Sequence, residues 1–158
     1  MSKRHGGSSA IHSQGKLGQQ SAGEKAQRRM ITQLQSTAST PVIAVVDDDP
    51  AVCNSLKFSL ELDGFVVRVY RSGAEFLAAD SFRDCNCLVV DQRMTGMSGM
   101  ELISELRERK VSAPAILIIS QANKVLSARA AEAHVPIIEK PFLNDALVEK
   151  IREVCARA

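Results

Sequence analysis

Six residues have the types and positions that chemistry needs: Asp47, Asp48, Asp49, Asp91, Ser120 and Lys140. Each of the groups they form follows an apolar run. Val42-Ile43-Ala44-Val45-Val46 leads into the three aspartates, Cys87-Leu88-Val89-Val90 into Asp91, Ala115 to Ile119 into Ser120, and Val135 to Glu139 into Lys140-Pro141. Clustered carboxylates repel one another, so a cluster of this kind either raises a pKa or binds a cation. Oxygen-only ligands that leave coordination positions to water favour Mg²⁺ or Mn²⁺ over zinc. A divalent ion beside a carboxylate, with an ammonium and a hydroxyl opposite, suits a phosphoryl group. The cations neutralise its oxygens while the acid attacks in line, and the aspartate becomes an acyl phosphate.

Such residues meet only if the elements carrying them share an edge. From Pro41 the sequence alternates strand and helix, the pattern of an α/β parallel sheet. Strands are predicted at Val42 to Val46, Phe65 to Tyr70, Cys87 to Asp91, Ala115 to Ile119 and Val135 to Glu139. Pro136, inside the last of these, assigns it to a sheet edge. Asp49-Pro50 supplies a cap and a first-turn proline for a helix to about Asp63, with Val52, Leu56 and Leu60 on one face. A short helix spans Ser72 to Ala79, and Ser98-Gly99-Met100-Glu101 is a capping box opening a helix to about Lys110. Asn123 to Ala133 is helix-permissive with an alanine-rich, thin apolar face. The last helix starts at Asn144 or a neighbour and turns Leu147, Val148, Ile151 and Val154 inward. Right-handed crossovers allow a doubly wound five-stranded parallel sheet of order 2-1-3-4-5, flavodoxin-like. Its switch point, between the first and third strands, brings Asp47, Asp48 and Asp91 into one crevice.

Composition bounds the rest. A chain of 158 residues with 45% apolar content can bury one core. Residues 1–40 hold six basic side chains against Glu24 alone, a net +5, whereas the whole chain carries +2, leaving −3 for residues 41–158. Residues 1–40 are rich in Gly, Ser, Gln and Thr without apolar periodicity, and are expected to be a disordered basic tail. Lys3-Arg4 and Arg28-Arg29 are not followed by the apolar stretch of a secretory signal, and no run is long enough to span a bilayer. The expected location is therefore cytoplasmic, with no membrane partner. Cys53, Cys85, Cys87 and Cys155 form neither a secreted disulfide framework nor a zinc pattern. Cys85 and Cys87 read as small residues entering a strand and sharing a face.

The series Val46-Asp47-Asp48-Asp49, Val90-Asp91-Gln92-Arg93-Met94, Met97-Ser98-Gly99, Ile119-Ser120 and Glu139-Lys140-Pro141-Phe142 resembles the receiver domain of two-component response regulators, over residues 41–158. Each motif is weak alone; five in register are specific. The resemblance implies that Asp91 accepts a phosphoryl group from a histidine kinase or phosphotransfer protein. It implies a Mg²⁺ ion held by Asp48 directly, by Asp47 largely through water, by Asp91 and by the backbone carbonyl of Arg93. Ser120 would hydrogen-bond the phosphoryl oxygen and Lys140 pair with its charge, with a cis peptide at Lys140-Pro141. The expected protein is a stand-alone phosphoacceptor that signals to a downstream protein, not an enzyme with a separate substrate. Three positions depart from the family pattern. Thr95 replaces a usual proline, which predicts a less rigid loop; Gln121 replaces a small residue; and Ile137 replaces the switch aromatic.

Blander readings compete with each residue. Asp49 is accounted for by helix capping, but two further acids exceed that need. Ser120 alone reads as a loop-satisfying hydroxyl and Lys140 alone as a solvated edge residue; only together with Asp91 do they form a site. A phosphate-independent partner-binding scaffold on the same fold is the alternative function. A haloacid dehalogenase-type phosphohydrolase would place a second acid two residues after the nucleophile, where Arg93 stands. The scattered tail charges lack aromatics, which argues against nucleic acid as a partner.

Overall fold

Five short aliphatic runs pair in parallel: β1 (Val42–Val46), β2 (Val66–Tyr70), β3 (Cys87–Asp91), β4 (Ala115–Ile119) and β5 (Ile137–Glu139). The computed structural model describes residues 39–158 together with Gly23. The expected basic tail thus falls almost entirely outside the described residues. The strand order is β2-β1-β3-β4-β5, the doubly wound arrangement expected from sequence. Every residue of β3 and β4 is buried, and so are the last four of β1. Strands covered on both faces cannot expose a polar side, which is why these three read as unbroken apolar runs.

Helices α1 (Pro50–Leu62) and α5 (Asn144–Ala156) cover one face; α2 (Gly73–Ala78), α3 (Gly99–Glu108) and α4 (Lys124–Glu132) cover the other. Successive strand residues point to opposite faces. Ile43, Val45, Val89, Ile116 and Ile118 accordingly pack with Leu56, Leu60, Leu147 and Ile151. Val46, Leu88, Val90 and Leu117 pack with Phe76, Leu102 and Ile103 on the other side.

The helix starts follow local chemistry. Asp49 accepts the Ala51 N–H at 2.8 Å ahead of Pro50, and Ser98 and Glu101 complete the capping box of α3. Asn123 caps α4 by accepting from Val125 and Leu126. As its composition predicts, α4 is thinly packed, with Ala130 its buried residue.

Four details differ from the sequence reading. The fifth strand begins at Ile137, not Val135, because Pro136 has no N–H for the ladder; its carbonyl still accepts from Leu117 at 2.9 Å. Cys53, not singled out from the sequence, is buried on α1, while Val52 and Val154 pack, partly buried, against the layer of Leu56 and Leu147 as expected. Residues Ser81–Asp84 form a 3₁₀ turn too short to leave a periodic signal, and Phe82 from it packs edge-on against Phe76 with centroids 6.1 Å apart. Finally, Cys85 precedes β3 and lies in the layer of Phe82, whereas Cys87 lies in the opposite layer; the two do not share a face.

Candidate functional site at the carboxyl edge of the sheet

The parallel ladders set where the polar residues emerge. Val46 is level with Tyr70 and Val90, and Asp91 with Ile118, so Asp47 and Asp91 leave adjacent strands at the same edge. Backbone bonds extend the ladders just past the strand ends: Asp47 N–H to Tyr70 O at 3.1 Å, Gln92 N–H to Ile118 O at 2.8 Å, and Lys140 N–H to Ile119 O at 2.7 Å. These bonds fix the backbones that carry the two acids and the lysine.

The three side chains converge. Lys140 Nζ donates to Asp91 Oδ1 at 2.8 Å and lies 3.6 Å from Asp47 Oδ2. The second Asp91 oxygen, Oδ2, accepts the Arg93 N–H at 2.8 Å. Asp47 Oδ1 accepts the Asp49 N–H at 2.9 Å, and the buried Cys53 thiol donates to the Asp47 carbonyl at 3.1 Å. Both acids are buried, at 3% exposure for Asp47 and 6% for Asp91, which is unusual for carboxylates and indicates paired charge. The Lys140-Pro141 peptide is cis.

Burial pushes the Asp47 carboxyl above the ordinary aspartate range. The Asp49 N–H opposes this, the Asp91 charge adds to it, and Lys140 counters it. Burial by itself would lower the Lys140 ammonium, but its hydrogen bond to Asp91 and the charges of Asp91 and Asp47 carry it above the usual lysine value. A cationic lysine thus bridges two acids of unequal comfort, Asp91 with both oxygens bonded and Asp47 with one.

The loop after Asp91 is pinned from below. Gly99 N–H bonds to Gln92 O at 3.2 Å, and Gln92 Oε1 accepts the Met100 N–H at 3.1 Å. A Cβ on Gly99 would lie 2.7 Å from both Asp91 O and Leu117 Cδ1, so α3 begins directly against the backbone of the central acid. Only glycine permits that approach.

Among the described residues, neither Ser120 nor Asp48 is hydrogen-bonded to Asp47, Asp91 or Lys140. Ser120 is exposed at the end of β4 and borders an open groove with Gln92, Arg93, Gln121 and Arg129. Asp48 turns its carboxylate to Thr95, accepting the backbone N–H at 3.0 Å and the hydroxyl at 3.1 Å, while its carbonyl accepts from Arg71 Nη2 at 2.7 Å. The loop expected to be less rigid for want of a proline is therefore tied down through the residue that replaces it. Ile137 packs partly buried against the core layer of Phe76, and Tyr70 is buried against Phe76 with centroids 5.0 Å apart. Reading the sequence singles out Thr95 only as a departure, and misses Arg71, Cys53 and the Gln92 amide; Thr95 alone left a signal.

A divalent cation fits this donor set in part. Asp47 Oδ2 is the buried side-chain oxygen without a hydrogen-bond partner among the described residues, and Lys140 Nζ, at 3.6 Å, attracts it without bonding it. An unpartnered buried carboxylate oxygen among oxygen donors is what a hard cation or its water shell would satisfy. Among the described residues, however, no three acidic, histidine or cysteine side chains are gathered closely enough to hold an ion, and the Asp48 carboxylate is bonded to Thr95.

Residues 43–152 match the response regulator receiver domain. The chain is 36% identical over 117 residues to the transcriptional regulatory protein FixJ of Azorhizobium caulinodans, covering 73% of this chain and 56% of that one. It is 38% identical over 111 residues to FixJ of Rhizobium meliloti, covering 69% and 54%. The chain thus spans about half the length of the curated relatives it matches. Among solved structures, the crystal structure of FixJ-N superposes with a TM-score of 0.69 at 34% identity, covering 76% of this chain and 97% of that one.

Proposed function

The chain belongs to the response regulator receiver domain family, and from that premise we propose that it takes a phosphoryl group from a phosphohistidine on a histidine kinase or phosphotransfer protein onto Asp91. The observation that carries this reading is the Asp91 carboxylate itself. It is buried at the end of β3, held by Lys140 and the Arg93 N–H, and lies next to an Asp47 oxygen that has no hydrogen bond.

In this reading an Asp91 oxygen attacks phosphorus in line, the phosphorus–nitrogen bond breaks, and the imidazole leaves with that electron pair. Lys140 follows the charge, exchanging its bond to the Asp91 carboxylate for one to the new phosphoryl oxygens. Ser120 supplies a hydroxyl donor to one of those oxygens and draws its loop toward β3. Asp47, Asp48, Asp91 and the Arg93 carbonyl are the residues that would hold Mg²⁺, with Asp48 first freed from Thr95. When bound, the ion supplies positive charge against the phosphoryl oxygens, which three carboxylates would otherwise repel. Occupancy of Asp91 then changes the surface offered to a downstream protein. Among the described residues no helix is long and apolar enough to cross a membrane.

The test is incubation with a small-molecule phosphodonor and Mg²⁺, and separately with a phosphorylated histidine kinase, read by intact mass. One phosphoryl adduct is expected on the wild type and none on Asp91→Asn. Absence of an adduct from both donors on folded wild type would sink the proposal.

A further inference from the structure

Asp48 is bound at its carbonyl and at its carboxylate by residues from elsewhere in the fold. Its carbonyl accepts from Arg71 and its carboxylate Oδ2 accepts two hydrogen bonds from Thr95, one from the main chain and one from the side chain. Charge-assisted bonds of this kind are stronger than neutral ones, and two from one residue also fix the carboxylate's direction. Asp48 is only half-buried and Thr95 is exposed, so water can take over either partner. Of the two Thr95 donors the hydroxyl depends on the side chain, and proline would lack the N–H as well.

We infer that Thr95 is a positioning residue that withholds Asp48 from the divalent cation and thereby lowers the site's cation affinity. This rests on the cation reading of Asp47, Asp48 and Asp91 given above. In the structure two acids, Asp47 and Asp91, face Lys140 while the Asp48 carboxylate is bonded to Thr95 on the loop after Asp91. Cation uptake then requires Asp48 to exchange two Thr95 donors for the metal, and whatever those donors contribute in the free state is subtracted from binding. The Thr95-bonded arrangement also spares the site a third converging negative charge. Because the latch and the Arg93 N–H bonded to Asp91 lie on one short loop, cation binding and rearrangement of that loop are coupled.

The experiment is direct Mg²⁺ titration by calorimetry, with no phosphodonor, on the wild type, Thr95→Val, Thr95→Pro and Asp47→Asn. Thermal unfolding confirms that each is folded. Thr95→Val keeps the N–H and removes the hydroxyl, so the dissociation constant is expected to fall a few-fold. Thr95→Pro removes both donors and is expected to tighten binding roughly tenfold, the equivalent of about 1.4 kcal/mol. In amide-resolved NMR of the wild type, the Thr95 N–H resonance moves on Mg²⁺ addition as its acceptor leaves. Unchanged or weaker binding in Thr95→Val, together with a Thr95 amide that does not respond to Mg²⁺, overturns the inference without needing the proline variant. Asp47→Asn separates the two levels. If it abolishes Mg²⁺ binding while the Thr95 variants match the wild type, the site reading stands and the latch fails. If it leaves binding intact, the site reading fails and the latch with it.

Discussion

Replacing Lys140 with methionine keeps the apolar stem and removes the ammonium that lies 2.8 Å from Asp91 Oδ1 and 3.6 Å from Asp47 Oδ2. At an effective dielectric constant of about 20 these contacts correspond to gross attractions of about 6 and 5 kcal/mol. Most of that is offset by desolvation of the three charged groups. Removing one partner of a fully buried pair costs about 3–5 kcal/mol, and Lys140 keeps 30% exposure, which admits screening. The expected loss of stability in chelator at neutral pH is therefore about 2–3 kcal/mol, read by urea unfolding. Two features distinguish this loss from a packing defect. It shrinks as pH falls, because Asp47, whose carboxyl is already raised by burial, protonates earlier once the ammonium is gone and stops repelling Asp91. Mg²⁺ also restores more stability to the variant than to the wild type, since a divalent cation replaces the missing charge. A loss below about 0.5 kcal/mol, or a loss independent of both pH and Mg²⁺, would refute the electrostatic account of the site.

Three further outcomes follow from the same geometry. Asp47→Asn should stabilise the protein in chelator at pH 7, because a carboxyl with a raised folded pKa favours the folded state only when protonated. That gain should vanish below pH ~4, where the unfolded aspartate is protonated too, and denaturant titrations across pH check it. Gly99→Ala should cost about 1–3 kcal/mol and displace the Asp91 backbone, since its Cβ meets main chain. Gly73→Ala, whose nearest neighbour is the flexible Met97 thioether at 3.0 Å, should cost under about 1 kcal/mol; equal losses in thermal unfolding would contradict the distinction. The neighbouring Cys87 thiol holds the Cys155 thiol down at about 7, while burial raises Cys53 and Cys85. Iodoacetamide should therefore alkylate Cys155 half-maximally near pH 7 and Cys87→Ala should move that midpoint upward, by mass spectrometry; an unmoved midpoint refutes the pairing.

The sheet was legible because its central strands are buried on both faces and end abruptly at polar residues. Val46 to Asp47 and Val90 to Asp91 are transitions that only strand ends at one edge explain economically, and β4 has the bounds its apolar run predicts. The capping box at Ser98 and the Asp49-Pro50 start were readable because capping is local chemistry. What escaped depends on contacts across the chain. The turn at Ser81–Asp84 is held by Phe82 against Phe76, six residues away, and has no period of its own. Cys85 and Cys87 separate into opposite layers because the chain has not yet entered the strand at Cys85, a boundary that alternation cannot locate. At the site, Asp47, Asp91 and Lys140 meet as their strand ends predict. The direction of the Asp48 carboxylate was not legible, since it is set by a partner 47 residues later whose relevance lies in two donors rather than in any pattern.

The central claim is that Asp91 is the phosphoryl-accepting residue, and chemical trapping at that position tests it most directly. Wild-type protein is phosphorylated in the presence of Mg²⁺, reduced with borohydride and digested, and the peptide spanning residues 87–99 is sequenced by mass spectrometry. An acyl phosphate is reduced to the alcohol, so homoserine at position 91 is expected, absent when the donor or Mg²⁺ is omitted. Phosphorylated protein that yields unmodified Asp91, with homoserine or a stable phosphate at another residue, would contradict the account.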